Sequence, residues 1–370
     1  MKPLKVIFSG GGTGGHIFPA IAIANAVKQL VPQAEILFVG AEGRMEMEKV
    51  PAAGFKIEGI PIAGLQRKLS LANFKLPFLI IRSLLKTRSI INAFKPQVVV
   101  GTGGYASGPL LRSAVSKNIP VLIQEQNSYA GITNRLLSKH AAKICVAYEG
   151  MDVYFPRPKI VITGNPVRPE VIAVEGKRAE ALRYFQLEEN KKTVLVVGGS
   201  LGAKAINESI GQQLSKFTEQ DVQVIWQCGK VYYETAKQQA QGFTGKGIYL
   251  SEFITRMDLA YAAADVVISR AGAGAISELC LVSKPSILVP LPTAAEDHQT
   301  KNAMALVNKQ AAVLVKDKEC QSHLITECLN LLNKTSRQTE LSKNISALAQ
   351  RDSAMRIAKE VLTLAHYPLV

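Results

Sequence analysis

The residues of this chain that could do chemistry lie in glycine-rich turns that also carry polar side chains. The first turn, residues 10–15, follows a short apolar run and leads through His16 into a helical pattern over residues 17–30. Backbone N–H groups in such a turn, and at the start of the helix, can bind an oxyanion. His16 could accept a hydroxyl proton, because a helix N-terminus disfavours the imidazolium cation. A second turn, residues 101–109, follows a later apolar run, and two such turns suggest a large anionic ligand.

Three further turns with polar residues occur in the second half of the chain. Residues 198–203 contain glycines and the hydroxyl group of Ser200. Residues 270–278 lie between an apolar run and a helical pattern, and the N-terminus of that helix would favour a phosphate group. Glu278, about one turn into the helix, could accept hydrogen bonds from a ribose diol. Residues 290–299 form a polar cluster that could contact the hydroxyl groups of a sugar.

Other ligand chemistries fit the same residues less well. Residues 10–15 also satisfy the G-x-G-x-x-G pattern of dinucleotide-binding turns, with Glu35 or Glu42 as the residue that would bind the ribose. The glycines are denser than that pattern needs, and no Gly-Lys-Ser/Thr sequence completes a P-loop. No Asp-x-Asp sequence occurs, and three histidines outside the turns have no partners at the spacing of metal ligands. We therefore expect neither a metal ion nor a cofactor.

Apolar runs of strand length alternate with segments of helical periodicity along the chain. This β-α-β pattern is typical of parallel sheets covered by helices. It restarts after the proline-rich residues 156–169, so the sequence predicts two doubly wound α/β domains, at residues 1–166 and 167–350. Residues 336–365 are predicted to be helical, and the C-terminal helix, residues 351–370, to pack back on the first domain. The predicted strands are residues 6–8, 36–39, 98–100, 121–123, 144–146, 194–197, 224–226, 248–250, 266–269, 287–289 and 313–315.

Charge and composition narrow the class of protein. The 370 residues are 47% hydrophobic and carry a formal net charge of +15. The positive charge is concentrated in the first half, where Glu125 is the only acidic residue between Glu58 and Glu149. Such a field attracts an anionic surface. The five cysteines are widely spaced and odd in number, which argues against a disulfide framework and indicates a reducing compartment.

Residues 70–94 of the basic half combine cations with large apolar side chains, which favours an anionic lipid surface over nucleic acid. A helix that begins near Pro77 would have a broad apolar face and, opposite it, Arg82 and Lys86. Its apolar run, residues 76–81, is far shorter than the roughly 20 residues of a membrane span, so the helix could lie only in the membrane interface. The alternative is a helix that packs in the core with a solvated basic face. The apolar face would contain Phe78, Ile80, Ile81, Leu84, Leu85 and Ile91, and the candidate membrane patch Phe78, Ile81, Arg82, Leu85 and Lys86.

Longer motifs in and around these turns extend over essentially the whole chain. They are GGTGGH at residues 11–16, GGYASGP at 103–109, EQN at 125–127, GITNR at 131–135, GNPVR at 164–168, GGSLGA at 198–203, RAGAGAISE at 270–278 and PLPTAAEDHQ at 290–299. In these motifs the sequence resembles the bacterial UDP-N-acetylglucosamine:lipid I N-acetylglucosaminyltransferases, the MurG family.

The resemblance implies a fold and a reaction. The fold would be GT-B, in which two Rossmann-like, doubly wound parallel-sheet domains face each other across a cleft. The reaction would move GlcNAc from UDP-GlcNAc to the 4-hydroxyl of the MurNAc-pentapeptide on undecaprenyl pyrophosphate (lipid I), with inversion at the anomeric carbon, to give lipid II. The first domain would bind mainly the acceptor and the second mainly the nucleotide-sugar.

The resemblance also implies roles for residues of the first domain. His16 would be the general base, and Glu125 would be the rival base or an acceptor contact. The acceptor would lie against Gly103, Gly104, Tyr105, Ser107 and Asn134. One departure from the family pattern concerns this domain, because Gln124 replaces a histidine that is common before the EQN motif.

In the donor site, the resemblance implies that Ser200 and the amides of residues 273–276 face the pyrophosphate. Ile254 would contact the uracil, Glu278 the ribose and Gln299 the GlcNAc hydroxyls, while Arg168 at the hinge would offset pyrophosphate charge. Ala275 departs from the pattern, since many relatives have a threonine hydroxyl there. The full set of donor residues is Thr13, Gly14, Gly15, Asn127, Arg168, Ser200, Ile254, Ala273, Gly274, Ala275, Ile276, Ser277, Glu278 and Gln299.

The sequence leaves three alternatives open. They are another GT-B enzyme that uses a UDP-sugar, such as a diacylglycerol glycosyltransferase or a UDP-GlcNAc epimerase, a Rossmann dehydrogenase, and a membrane-associated scaffold. The GGYASGP and EQN motifs favour the MurG family. That family membership would place the protein at the cytoplasmic face of the bacterial plasma membrane as a peripheral protein. Its partners would be UDP-GlcNAc, lipid I and an anionic membrane surface, with no nucleic acid.

Overall fold

The chain folds into two compact units, each built around one parallel sheet. The computed structural model describes residues 3–63, 76–199, 201–243 and 245–368. One unit consists of Met1–Val167 with Gln350–Val370, and the other of Arg168–Ala349. Two parallel sheets are what the alternating pattern of apolar runs predicts, and this prediction is confirmed.

Within the described residues, the sheet of the first unit consists of β1 (Lys5–Ser9), β2 (Glu35–Ala41), β3 (Lys56–Ile60), β4 (Val98–Gly101), β5 (Val121–Glu125), β6 (Lys143–Val146) and β7 (Ile160–Ile162). The strands are parallel, in the order β3-β2-β1-β4-β5-β6-β7. The chain order reverses at β1, which lies between β2 and β4. In doubly wound sheets, ligands bind beyond the carboxyl ends of the strands at such a point.

Helices connect these strands and cover both faces of the sheet. Ile7 of β1 packs on one face, together with the third and fourth helices, whereas its neighbours Val6 and Phe8 pack on the other face against the first helix. Successive residues of a strand point to opposite faces of the sheet. A strand that is covered by helices on both faces therefore needs apolar residues at consecutive positions. The helices are α1 (Gly14–Leu30), α2 (Glu46–Ala52), α3 (Leu76–Phe94), α4 (Ser107–Val115) and α5 (Ile132–Ser138).

The described strands of the second unit are β8 (Lys192–Val197), β9 (Val222–Gln227), β10 (Ile248–Ser251), β11 (Val266–Ser269), β12 (Ser286–Leu288) and β13 (Val313–Leu314). They form a parallel sheet in the order β10-β9-β8-β11-β12-β13, which reverses at β8. The helices are α6 (Pro169–Ile172), α7 (Arg178–Tyr184), α8 (Lys204–Gln212), α9 (Leu214–Thr218), α10 (Tyr233–Ala240), α11 (Met257–Ala263), α12 (Ala273–Val282), α13 (His298–Val307), α14 (Ile325–Leu332) and α15 (Thr335–Ser346).

The last helix, α16 (Ser353–Leu364), belongs to the first unit and packs on α1. Ile357 and Val361 of α16 are fully buried in the same core as Val6 and Phe8. The segment predicted to be helical, residues 336–365, consists of two helices, because the chain leaves the helical conformation between α15 and α16. Asp352, immediately before α16, has a left-handed backbone with φ of +55°.

Helix α3 exposes apolar side chains together with basic ones. Phe78, Ile81 and Leu85 are 63%, 57% and 61% exposed. The prediction that Arg82 and Lys86 lie opposite the apolar face is wrong, since both are exposed along with Phe78 and the Arg82 guanidinium lies 5.7 Å from the Phe78 ring centroid. The predicted apolar face is split, and Ile91 belongs to the buried side of the helix. Residues 70–75 of the predicted segment lie outside the described residues.

The buried side of α3 carries hydroxyl groups in its middle turns. Ser83 and Thr87 are fully buried. Ser83 Oγ donates to the Pro61 carbonyl oxygen at 3.0 Å, and Thr87 Oγ1 lies 2.7 Å from Ser113 Oγ of α4. None of the helices in the described ranges is long and apolar enough to cross a membrane.

Candidate active site

Two glycine turns of the first unit lie side by side at the carboxyl ends of β1 and β4. Ser9 pairs with Gly101 in the sheet, so the chain leaves both strands at the same edge. Gly103 and Gly104 have φ of +97° and +79°, a left-handed conformation that residues with side chains disfavour. A Cβ atom at Gly104 would collide with the carbonyl oxygen of Gly11. The two turns therefore approach each other through their backbones, and glycine is required where they touch.

The ring of His16, in the first turn of α1, is fixed by the neighbouring glycine turn. His16 Nδ1 lies 2.9 Å from the Thr102 carbonyl oxygen and 3.1 Å from Gln126 Oε1. A carbonyl oxygen can only accept a hydrogen bond, so Nδ1 carries the proton in this contact. The neutral ring then has its lone pair on Nε2, for which the described residues provide no hydrogen-bond partner. This arrangement makes Nε2 available as a proton acceptor.

Buried amide side chains hold the Thr102 carbonyl in place. Gln126 Nε2 donates to that carbonyl oxygen at 2.7 Å and also contacts Gln124 Oε1. Gln124 Nε2 donates to Asn165 Oδ1, and Asn165 Nδ2 donates to the Gln126 carbonyl, both at 3.0 Å. All three amides are at most 4% exposed. Gln124, the residue that departs from the family pattern, thus belongs to a network that supports the partner of His16.

Both carboxylate oxygens of Glu125 are occupied by N–H donors. Oε1 accepts from the backbone and side-chain N–H groups of Asn127, at 3.1 and 3.3 Å. Oε2 accepts from the Gly131 backbone at 3.0 Å and from Asn134 Nδ2 at 2.9 Å. Glu125 is only 1% exposed. The carboxylate is therefore built to order the loop after β5, and it presents no accessible oxygen to a ligand.

The residues predicted to contact the acceptor differ in how accessible they are. Ser107 is fully buried, and its hydroxyl donates to the Gly104 carbonyl at 2.9 Å, which stabilises the turn. Asn134 is 2% exposed and is held by Glu125. Tyr105 is partly exposed and lies against the first turn, where a Cβ atom at Gly12 would be 3.0 Å from its ring. Among these three side chains, only that of Tyr105 is open to a ligand.

Sequence reasoning missed Glu46, in the first turn of α2. Its carboxylate is fully buried, and it accepts the Gly12 N–H at 3.2 Å and the Ala41 N–H at 3.0 Å. Glu46 thereby ties the first glycine turn to the end of β2. In the sequence it resembles Glu48, which pairs with a lysine on the surface with its side chain 76% exposed. Only the fold, which turns Glu46 inward, distinguishes the two residues.

The two acids that a dinucleotide-binding turn would need each form an ion pair. Glu35 is the first residue of β2, at the amino end of the strand, and lies 3.0 Å from Lys5 Nζ. Glu42 lies 3.0 Å from Lys86 Nζ of α3. Glu35 therefore lies at the wrong end of its strand to bind a ribose at the turn, whereas Glu42, which follows the carboxyl end of β2, is paired with Lys86.

In the second unit, the N-terminus of α12 lies at the carboxyl end of β11. The backbone of Gly272 is extended, and the first helical N–H that donates to its carbonyl oxygen is that of Ile276, at 3.0 Å. The N–H groups of residues 273–275 therefore have no acceptor within the helix. A Cβ atom at Gly272, Gly274 or Gly199 would meet no other atom within 4 Å. An anion could approach the backbone closely at these open turns.

Glu278, one turn further into α12, is hydrogen-bonded by Tyr261 of α11. Tyr261 Oη donates to Glu278 Oε2 at 2.8 Å and is itself almost completely buried. Burial raises the pKa of the Glu278 carboxyl above its usual value, against the opposing effects of the Tyr261 hydrogen bond and the Arg168 guanidinium. One carboxylate oxygen is thus fixed by a phenol, and the other has no partner among the described residues. Tyr261 is a second residue that the sequence motifs did not reveal.

Three more of the predicted donor residues have defined surroundings in the second unit. Ile254 is 4% exposed in the turn after β10. Gln299, in the first turn of α13, accepts the Leu291 N–H with Oε1 at 2.9 Å, which leaves its amide N–H groups as donors. Ser277 Oγ donates to the Ala273 carbonyl at 2.9 Å and so acts within α12.

The predicted donor residues are divided between the two units. Thr13, Gly14, Gly15 and Asn127 belong to the first unit, and those from Arg168 onwards to the second. Arg168 is exposed immediately before α6, and Ser200 lies outside the described residues. In the described part of the chain, no group of three or more His, Cys, Asp or Glu side chains is placed to hold a metal ion.

Two parallel sheets, each with glycine turns at the point where its strand order reverses, form a fold of the GT-B type, and the family models identify the class as a glycosyltransferase. Residues 6–146 match the model of the glycosyltransferase family 28 N-terminal domain. Residues 193–360 match the model of the glycosyltransferase family 28 C-terminal domain. The matches cover most of both units.

Relatives and solved structures narrow the class further. A Parabacteroides distasonis protein named UDP-N-acetylglucosamine--N-acetylmuramyl-(pentapeptide) pyrophosphoryl-undecaprenol N-acetylglucosamine transferase is 57% identical over 98% of this chain and 99% of its own length. A Flavobacterium psychrophilum protein of the same name is 54% identical over 98% of both chains. The crystal structure of Acinetobacter baumannii MurG is 28% identical, with a TM-score of 0.80 over 98% of this chain and 100% of that one. The chain belongs to glycosyltransferase family 28 and, within it, to the MurG family.

The UDP-GlcNAc epimerases, one of the alternatives, share only the fold with this chain. A Neisseria meningitidis UDP-GlcNAc 2-epimerase has a TM-score of 0.67 over 98% of this chain, with 14% sequence identity. At that identity the likeness carries no information about the reaction. The resemblance inferred from the motifs is confirmed by the closer relatives.

Replacing Glu46 with glutamine should loosen the first glycine turn. Glutamine has one side-chain oxygen where the carboxylate has two, so one of the N–H groups of Gly12 and Ala41 would lose its acceptor. A buried donor without a partner costs about 1–3 kcal/mol, so amide exchange in peptides covering residues 10–16 should accelerate by roughly tenfold or more. The control is Glu48→Gln on the exposed side of α2, which should leave exchange unchanged. Equal exchange in both variants would contradict the role of Glu46.

Proposed function

We propose that the protein transfers GlcNAc from UDP-GlcNAc to lipid I, the undecaprenyl-pyrophosphoryl MurNAc-pentapeptide, and so forms lipid II. Relatives with 54–57% identity over nearly the whole chain carry the name of this activity. The structural observation that carries the proposal is the ring of His16, which the Thr102 carbonyl locks in one tautomer. A sugar hydroxyl needs such a base to act as a nucleophile near neutral pH.

In the proposed mechanism, His16 Nε2 takes the proton of the MurNAc 4-hydroxyl while that oxygen attacks the anomeric carbon of GlcNAc. The bond between the anomeric carbon and the UDP oxygen breaks at the same time, so the configuration inverts. The ring becomes an imidazolium, and its positive charge is stabilised at Nδ1–H by the Thr102 carbonyl and Gln126 Oε1. The amide network behind Thr102 keeps this acceptor in place as the charge develops.

The geometry favours His16 over Glu125 as the base. Glu125 would have to give up hydrogen bonds from Asn127, Gly131 or Asn134 before it could accept a substrate proton. It is also buried, whereas His16 is partly exposed. We therefore assign to Glu125 the task of holding the loop that carries Asn127.

The leaving group of the proposed reaction is UDP, whose negative charge needs stabilisation. The open N-terminus of α12 offers N–H groups and the positive end of a helix dipole to a pyrophosphate. Glu278, fixed on one side by Tyr261, would accept from the ribose diol, and Gln299 would donate to GlcNAc hydroxyls. The sequence contains no Asp-x-Asp motif of the kind that holds a metal ion in some glycosyltransferases.

Helix α3 is proposed to contact the membrane that holds lipid I. Its exposed face combines Phe78, Ile81 and Leu85 with Arg82. Apolar side chains next to cations suit the interface of an anionic membrane. We propose peripheral association at the cytoplasmic face of the bacterial plasma membrane.

The first test is transfer of radiolabelled GlcNAc from UDP-GlcNAc to a short-chain lipid I analogue, with and without EDTA. Product in both conditions is expected, because backbone N–H groups rather than a metal ion would stabilise the leaving UDP. Binding of UDP without any transfer would contradict the proposed acceptor and favour another UDP-sugar enzyme. Loss of product only with EDTA would contradict the proposed stabilisation of UDP.

Two substitutions should separate catalysis from donor binding. His16→Ala should lower turnover about 10²–10⁴-fold, the usual contribution of a general base, and leave the Kd for UDP-GlcNAc nearly unchanged. Glu278→Ala should instead raise that Kd roughly tenfold, because the ribose loses a charged acceptor. The exposed His140 serves as control, and His140→Ala should change neither quantity. Reversed effects at His16 and Glu278 would contradict both assignments.

Removing the apolar side chains of α3 should weaken membrane binding selectively. The double substitution of Phe78 and Leu85 by serine should reduce co-sedimentation with phosphatidylglycerol vesicles at least about tenfold. Burial of each apolar side chain in the membrane would contribute a free energy of about 1.5–3 kcal/mol. Activity on a water-soluble acceptor should be unchanged. As a control, Val231→Ser alters a side chain that is 84% exposed in the second unit. Undiminished vesicle binding of the double variant would rule out α3 as the membrane contact.

A further inference from the structure

The side chain of Gln227 joins two turns at the carboxyl edge of the second sheet. Gln227 is the last residue of β9 and is 3% exposed. Its Nε2 donates to the Gly199 carbonyl at 3.1 Å, in the turn after β8, and its Oε1 accepts the Ile254 N–H at 3.1 Å, in the turn after β10. Because β9 lies between β8 and β10, one amide links the loops of three neighbouring strands.

Close backbone packing next to Gln227 supports the turn after β8. Gly202 and Gly229 have left-handed backbones, with φ of +81° and +79°. A Cβ atom at Gly202 would collide with the Cys228 carbonyl, and one at Gly229 would collide with the Gly202 backbone. Asn207 Nδ2 donates to the Cys228 carbonyl at 2.7 Å. The turn after β8 therefore rests directly on the chain that follows Gln227.

We infer that Gln227 is a positioning residue for the nucleotide-sugar. Its side chain fixes the spacing between the turn that faces the pyrophosphate and the turn that faces the uracil. The inference rests on the proposed function, which places these two groups at residues 198–203 and at Ile254. Because the Gln227 side chain holds the two turns in place before the ligand binds, less conformational entropy is lost on binding.

The position of the Gln227 side chain requires a neutral amide group. One of its neighbours is a carbonyl oxygen, which needs a donor, and the other is an N–H group, which needs an acceptor. Glutamine supplies both without burying a charge. A glutamate at position 227 would keep the acceptor for Ile254 but would face the Gly199 carbonyl without a proton to donate.

The same strand provides a matched control at its other end. Gln223 is 1% exposed and also bridges backbone groups, since Oε1 accepts the Glu188 N–H at 2.7 Å and Nε2 donates to the Glu188 carbonyl at 2.9 Å. It lies near the amino end of β9, away from the turns after β8 and β10. Gln223→Glu therefore disturbs a similar pair of hydrogen bonds outside the proposed site.

The experiment compares the full-length wild-type protein with Gln227→Glu, Gln227→Met and Gln223→Glu. Calorimetric titration gives the Kd for UDP and for UDP-GlcNAc, and kinetics with a soluble lipid I analogue give KM and kcat. Both Gln227 variants should raise the Kd for both ligands and the KM for UDP-GlcNAc roughly tenfold, the effect of losing one or two hydrogen bonds, and change kcat less than about twofold. Gln223→Glu should lower the melting temperature similarly and leave Kd and KM unchanged.

The outcomes separate failure of this inference from failure of the proposed function. Wild-type affinity in the Gln227 variants would overturn the inference, and so would an equal loss of affinity in Gln223→Glu, because either result leaves Gln227 with only a structural role. If Gln227→Glu does not fold, Gln227→Met, which introduces no charge, provides the comparison. A wild-type protein that fails to bind UDP-GlcNAc would overturn the proposed function itself, before any variant is considered.

Discussion

The hydrogen bond between His16 Nδ1 and the Thr102 carbonyl is the contact on which the proposed chemistry of the first unit depends. It forms because β1 and β4 are adjacent parallel strands, so that the chain leaves Ser9 and Gly101 at the same edge. Thr102 Oγ1 also donates to the His16 carbonyl at 2.7 Å, which closes a second link between the turns. A different strand order would separate the histidine from the group that sets its tautomer, even with every motif intact.

Around this contact, the structure relies on neutral amides and on carboxylates that meet N–H groups. Gln124 and Gln126 each provide a donor and an acceptor, so they can be buried without an uncompensated charge. Glu46 and Glu125 are buried charges, but each of their oxygens accepts at least one N–H. Such hydrogen bonds lower the cost of burial and at the same time fix loop backbones. Gln227 in the second unit follows the same principle, which suggests that both sheets hold their turns by similar means.

Hydrophobic pattern was enough to predict the central strands but not the edges of the first sheet. Central strands are covered on both faces and therefore read as continuous apolar runs. β3 lies at one edge, and its sequence KIEGI alternates, while β7 at the other edge has three residues after a proline-rich segment. The glycine turns were recognisable because their residue types are unusual. Glu46 and Tyr261 were not, because their roles arise from burial and from partners distant in sequence.

Helix α3 shows most clearly what periodicity cannot decide. The pattern predicts apolar and basic side chains on opposite faces of a helix, but α3 exposes Phe78 and Leu85 together with Arg82. Here the hydroxyls of Ser83 and Thr87 find partners inside the first unit, and this leaves Phe78 and Leu85 exposed. Exposed side chains of this size forgo about 1.5–3 kcal/mol each that burial would provide. The lipid acceptor of this enzyme family is anchored in a membrane. The exposure of Phe78 and Leu85 is explained if these side chains are buried in that membrane.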